Sequence, residues 1–205
     1  MSEGPTPAFS HLMVDLETVG TGADAPIVQV AAVRFDPLGG IMSPGPTAEF
    51  FRGVELTSPG QGPIDPATLL WWLSRNAETR TRVFLMDNEG GCPPRLPLRD
   101  VLVGLAAFMC GARVGTVWAN APTFDNTILR EAAKRCGVSA LSDALHFPRD
   151  RCFRTLRALG RDLDIAEPGP LPGHREHDAL CDARQQARHA SVILRTLATM
   201  KAATV

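Results

Sequence analysis

His11-Leu12-Met13-Val14-Asp15-Leu16-Glu17, then Gly20-Thr21-Gly22, then Ile27-Val28-Gln29-Val30-Ala31-Ala32-Val33 is the stretch on which the fold turns. Two apolar runs separated by a glycine-rich turn read as strands over 11–17 and 26–35, with a third over 47–54, together a strand meander. Beyond it the pattern changes to helices. Asp65-Pro66 offers an N-cap and a proline at the first helical position, opening a helix through Leu69, Leu70, Trp72 and Leu73. Helices over 97–110 and 122–136 enclose a short strand at 114–119. Gly160 to Gly173, with Pro168, Pro170 and Pro172, reads as a loop, and a long helix follows from about 178 to 200. Segments 37–46, 58–66 and 90–97 are Pro/Gly-rich loops. Strands and helices mixed in this way define an α/β chain, and 205 residues at 44% hydrophobic suit one domain over 1–205.

Within the first strand the apolar pattern is broken by two acids. Asp15 and Glu17 are two apart and point to the same face. Asp125 falls in line with Ile128, Leu129, Ala132 and Cys136 on the inward stripe of its helix, and Asp182 lies on the inner edge of the last helix. Four carboxylates buried together would be driven to bind protons unless cations hold them. Oxygen-only ligands favour a hard cation, Mg²⁺ or Mn²⁺, and two such ions clamp an in-line phosphoryl displacement. His177, five residues before Asp182, is better placed on the loop or first turn leading into the last helix, where it can serve as a general base near neutral pH. Asp178 directly after it either raises the pKa of His177 or acts as a helix-start charge. His11, His146, His174 and His189 are read as surface residues.

Composition narrows the alternatives. The net charge of −1 gives no global basic field, although residues from Arg130 onward carry 13 Lys+Arg against 9 Asp+Glu. Nineteen of the 21 basic residues are arginine, mostly read as solvated helix faces. Five widely spaced cysteines (Cys92, Cys110, Cys136, Cys152, Cys181) lack a Cys-x-x-Cys pair and read as reduced, mostly buried thiols. No apolar run reaches membrane-span length and Met1 to Phe9 lacks signal-peptide features, so a cytoplasmic protein without membrane contact is expected. Gly20-x-Gly22 lacks the Gly-Lys-Ser/Thr ending of a phosphate loop, which disfavours an NTPase.

Asp15-Leu16-Glu17-Thr18, Asn120-Ala121-Pro122-Thr123-Phe124-Asp125 and His177-Asp178-Ala179-Leu180-Cys181-Asp182 resemble the three exonuclease motifs of the DEDD superfamily, in its DEDDh subgroup. The resemblance spans about residues 10 to 195. Trp71-Trp72-Leu73, Val117-Trp118-Ala119-Asn120 and Arg151-Cys152-Phe153-Arg154-Thr155-Leu156 resemble its small stand-alone bacterial and phage exoribonuclease-like branch. The resemblance implies a ribonuclease H-like fold: a mixed β-sheet of five or six strands, the first three antiparallel, flanked by helices on both faces. It implies that Asp15, Glu17 and Asp182 hold one divalent cation, that Asp15 shares a second, that Asp125 acts directly or through water, and that His177 is the base. Leu16 and Thr18 would contact the terminal nucleotide, Thr18 near its 3′ hydroxyl; Phe124 or Trp72 would stack on a base, and Asn120 would join the substrate contacts. Either tryptophan, and Phe124, can equally be packing. The expected activity is metal-dependent 3′-to-5′ hydrolysis of single-stranded ends to nucleoside 5′-monophosphates, RNA favoured, with a DNA exonuclease or a catalytically silent nucleic-acid-binding module as alternatives. A homodimer is expected, and Gly53 to Pro63 reads as an irregular flap.

Overall fold

β1 (His11–Thr18) is buried along almost its whole length because the sheet lies on both edges of it and helices lie on both faces. The computed structural model describes residues 9–41, 45, 47–85, 95–111 and 114–203. The Met1 to Phe9 reading, apart from Phe9, lies outside the described residues, as do Cys92 and parts of the 37–46 and 90–97 loops.

β1 pairs antiparallel with β2 (Ile27–Asp36), which pairs antiparallel with β4 (Glu49–Val54), so the meander is as expected. On its other edge β1 runs parallel to β6 (Thr116–Ala119), and β6 parallel to β7 (Asp150–Cys152). Two-residue strands β3 (Gly40–Ile41) and β5 (Arg95–Leu96) pair with β2 and β4. Among the described residues the sheet therefore has seven strands, not five or six. The additional ones span only two or three residues and are defined by pairing partners, which leave no apolar pattern to read.

Alternation along β1 sorts its side chains. Leu12, Val14 and Leu16 enter a core with α3 (Leu98–Gly111), α4 (Asp125–Arg135) and α5 (Ser139–Ala144). Met13 faces the other way, onto Phe153 of α6 (Phe153–Asp162) and the alanines Ala179, Ala183, Ala187 and Ala190 of α7 (Ala179–Ala203). The alanine stripe lets α7 lie close to the sheet. Asp15 and Glu17 continue the Met13 face toward the first turn of α7. A third, smaller core joins Val19 and Val28 to Trp72 of α1 (Pro66–Leu73) and Val83 of α2 (Ala77–Phe84).

Gly160 does not open a loop; it lies inside α6, where an added Cβ would come within 3.0 Å of Ile193 on α7. The glycine is a close-approach device, and the loop begins only after Asp162. Gly53 to Pro63 is irregular after Val54, as expected, and it is tied to the sheet. Gln61 brackets β2 by accepting from the Ile27 amide at 2.9 Å and donating to the Ile27 carbonyl at 2.8 Å. The cysteines are less buried than expected: Cys181 is buried, Cys136 and Cys152 are half-buried and Cys110 is exposed, all free thiols. Among the described residues no helix is long and apolar enough to cross a membrane.

Candidate active site

The C-terminal end of β1, the start of α4 and the start of α7 converge, and they bring Asp15, Glu17, Asp125 and Asp182 into one electrostatically connected group. Asp15, Glu17 and Asp125 are buried and Asp182 is half-buried. Ligand atoms of Glu17, His177 and Asp182 lie within 4.8 Å of one another, a spacing one cation could occupy. Asp125 is the first residue of α4, and nearby backbone amides, including that of Leu16 across the gap to β1, act to lower its proton affinity. Asp15 accepts from Gln186 Nε2 at 2.8 Å.

Burial and the neighbouring acids hold Asp15 and Glu17 well above the ordinary carboxylate range. Burial pushes Asp125 up to about 7 despite its amide donors, and Asp182 up to about 6 despite His174 and the His177 amide. Four acids in one place, none among the described residues with a full ion-pair partner except the His174 contact to Asp182, is a donor set suited to hard divalent cations. These raised values have a thermodynamic sign. The folded, cation-free protein holds protons that the unfolded chain releases near pH 4, so the stabilisation is complete below that pH and is lost as pH rises through about 6 to 7. Chelator-treated protein is therefore expected to melt at steadily lower temperature from about pH 5 to about pH 8, and Mg²⁺ or Mn²⁺ to raise the melting temperature at the upper end by roughly 5–15 °C. A melting temperature indifferent to both pH and cation would refute the assignment.

His177 sits just before α7 with φ +59°, a backbone conformation uncommon for histidine. Its amide donates to Asp182 Oδ2 at 3.0 Å, and its ring meets the edges of Trp71 and Trp72 at centroid distances of 5.0 and 5.9 Å. Burial lowers its pKa below the ordinary 6.5, with Arg75 and Arg82 acting in the same direction against Glu176. Asp178 does not raise it; its carboxylate accepts the Cys181 amide at 3.1 Å as the cap of α7.

A pocket of about 560 Å³ opens beside the acids, lined by Leu16, Glu17, Thr18, Trp71, Trp72 and Phe124 among others. Asn120 is not among its lining residues; its carbonyl instead accepts the Arg154 amide at 3.1 Å. Trp72 is 2% exposed and its indole N–H donates to the Thr18 carbonyl at 2.8 Å, so it braces β1. Trp71, 40% exposed, carries the Arg75 guanidinium at 4.6 Å from its ring. Of the two tryptophan rings lining the pocket, Trp71 is the more exposed.

Three of the four histidines read as surface residues are not. His189 is buried against Phe153 at 5.3 Å; His11 Nδ1 accepts the Trp118 indole at 2.9 Å; His174 Nε2 stands 3.5 Å from Asp182 Oδ1. Each occupies an inward position of β1, α7 or the loop over the acids, and only His146 is exposed. Gln186 was the unread member of the site, although it lies four residues after Asp182 and so on the same face of α7.

A mixed sheet flanked by helices, with four acids and a histidine gathered at one end of β1, is the arrangement that the resemblance to DEDDh 3′-to-5′ exonucleases leads one to expect. The chain belongs to the 3′-5′ exoribonuclease Rv2179c-like domain family, which matches residues 10–194. No curated protein matches it in sequence. Among solved structures, E. coli exonuclease I in complex with a dA16 oligonucleotide is similar at a TM-score of 0.57 and 14% identity, over 93% of this chain and 43% of that one. The chain thus spans less than half the length of exonuclease I. The RNase domain of the yeast Pop2 protein is similar at a TM-score of 0.50 and 10% identity, over 94% of this chain and 79% of that one. At such identities these likenesses speak to the fold.

Proposed function

We propose that the protein is a metal-dependent exonuclease that removes nucleoside 5′-monophosphates one at a time from single-stranded 3′ ends, RNA in preference to DNA. The observation that carries the reading is the convergence of Asp15, Glu17, Asp125 and Asp182 with His177 beside a pocket of about 560 Å³. The exoribonuclease family supports the preference for RNA.

Two divalent cations held by Asp15, Glu17, Asp125 and Asp182 would supply Lewis-acid polarisation and offset the charge that builds on the phosphate oxygens. The chain's own groups do the rest. Leu16, Trp71, Phe124 and Thr18 line the pocket, and in this reading the first three enclose the terminal nucleoside while Thr18 meets its sugar. His177, unprotonated at neutral pH because burial lowers its pKa, accepts at an imidazole nitrogen the proton of the attacking water. The new bond is from the water oxygen to phosphorus; the bond that breaks is from phosphorus to the 3′ oxygen of the penultimate nucleotide. The reading includes a homodimer, for which exposed Leu69, Leu70 and Leu73 on α1 offer apolar surface.

The test is a denaturing-gel time course on 5′-labelled single-stranded RNA and DNA with Mg²⁺, Mn²⁺ or chelator. A cation-dependent ladder shortening from the 3′ end, faster on RNA, is expected. Cleavage inside the strand, or no cleavage of either polymer with any cation, would overturn the proposal.

A further inference from the structure

Glu176, Asp178 and Ala179, the three residues flanking His177, are held from outside their own segment, and those contacts lead back to one buried arginine. Arg82 on α2 is 4% exposed. It donates through Nη2 to the Glu176 carbonyl at 3.0 Å, and its Nε lies 3.4 Å from the Asp178 carboxylate, itself 4% exposed. The Arg82 carbonyl accepts from Gln29 Nε2 at 3.4 Å, and Gln29 Oε1 accepts the Ala179 amide at 3.3 Å. His177 between them is held through its amide by Asp182. Gln29 is fully buried on β2, directly opposite Glu17 in the β1–β2 register. The same strand pair therefore carries a site acid on β1 and, directly across from it on β2, the glutamine that helps hold the histidine segment.

We infer that Arg82, paired with Asp178, is a positioning residue that fixes His177 in its left-handed backbone conformation over the acids. This rests on the reading of His177 as the base. A left-handed histidine is intrinsically unfavourable and persists when its surroundings over-determine it; here Arg82 hydrogen-bonds to the residue before it and pairs in charge with the residue after it. The pair is enclosed, so its geometry is not exchanged for water contacts as a surface ion pair would be. Glu78 (3.7 Å from Arg82) and Arg175 (3.8 Å from Asp178) are longer, peripheral contacts. Val83, next to Arg82, packs into the small core with Val19, Val28 and Trp72 and so anchors the helix that carries Arg82. Nothing in the clamp touches the nucleoside pocket, whose lining includes none of Arg82, Asp178 or Gln29. Its loss is therefore expected to act on turnover rather than on substrate capture.

Removing one partner alone would leave a buried charge, so the test replaces both, Arg82→Gln with Asp178→Asn. Kinetics are read on a chromogenic nucleoside 5′-phosphodiester, in the unsubstituted background and in His177→Ala. The double replacement is expected to lower kcat about 30-fold with KM within about twofold, a size in keeping with displacement of a catalytic group by about an ångström. In His177→Ala it is expected to change kcat less than about twofold, because the group it positions is gone. Equal losses in the two backgrounds, or none in either, would overturn the inference. Hydrogen exchange over residues 174–182 gives a reading that needs no turnover: about tenfold faster exchange there, with the rest of the chain unchanged, is expected, and unchanged exchange would overturn it. Absence of hydrolysis by the unsubstituted protein would sink the nuclease reading by itself, while exchange still decides the clamp.

Discussion

Asp15→Asn is expected to lower turnover by about 10³-fold or more and, in the same protein, to raise the melting temperature measured in chelator. The two effects share one cause. Asp15 sits fully enclosed among Asp125, Glu17 and Asp182, all of which push its proton affinity up, with only Gln186 donating to it. In the absence of cations the asparagine removes one member of a repelling set, so the metal-free fold gains stability at neutral and alkaline pH. Once the site must hold cations and stabilise charge on a phosphate, the missing carboxylate is a loss of several kcal/mol at the transition state, which is the origin of the rate factor. Gln186 can still donate to the new amide oxygen, so the side-chain geometry is preserved. The cation-induced rise in melting temperature is expected to shrink along with the activity. A structural acid would behave in the opposite way, its replacement lowering the melting temperature in chelator. Calorimetry with and without Mg²⁺, set beside initial rates on one oligonucleotide, checks all of this; a destabilised but active variant would remove Asp15 from the site.

What made Asp15 readable was its context. An acid at every second position of an otherwise apolar strand contradicts the pattern of a buried strand, and such contradictions mark sites. Asp125 and Asp182 were legible for the same reason, each on the inward stripe of a helix. The residues that escaped reading are those whose role depends on pairing across the fold. Arg82 belongs to Ala77–Phe84, a short helix with a polar sequence and no apolar stripe, and an arginine there reads as solvated until Asp178 is brought beside it by the chain folding over nearly a hundred residues. Gln29 lies in a run of valines and alanines and shows its function only through the Ala179 amide. Gly160 carries the usual breaker signal, yet the approach of Ile193 makes it a helical contact point. The tryptophan pair was visible, but which ring faces solvent follows from the register of α1 against Thr18, a tertiary fact.

His177→Ala is expected to lower kcat by roughly 10² to 10⁴-fold, the range a positioned general base contributes, and to alter the shape of the pH profile as well as its height. In the unsubstituted protein with cation present, the rate should hold from alkaline pH down to about 6.5 and fall below that. Burial, seconded by Arg75 and Arg82, places the imidazole's proton affinity under its ordinary 6.5. The sign follows: a base lowered in pKa is available at neutral pH and is lost only in more acidic solution. His177→Ala should flatten that acid limb. The comparison is decisive because two other groups lie in the same window: without cation Asp182 stands at about 6 and Asp125 at about 7. If the limb belonged to either acid, it would survive in the variant and would move when the Mg²⁺ concentration is changed, since bound cations compete with those protons. A limb that disappears with the imidazole and stays put with Mg²⁺ assigns the proton transfer to His177; a limb that persists and shifts assigns it to the carboxylates and leaves the histidine a packing partner of Trp71 and Trp72.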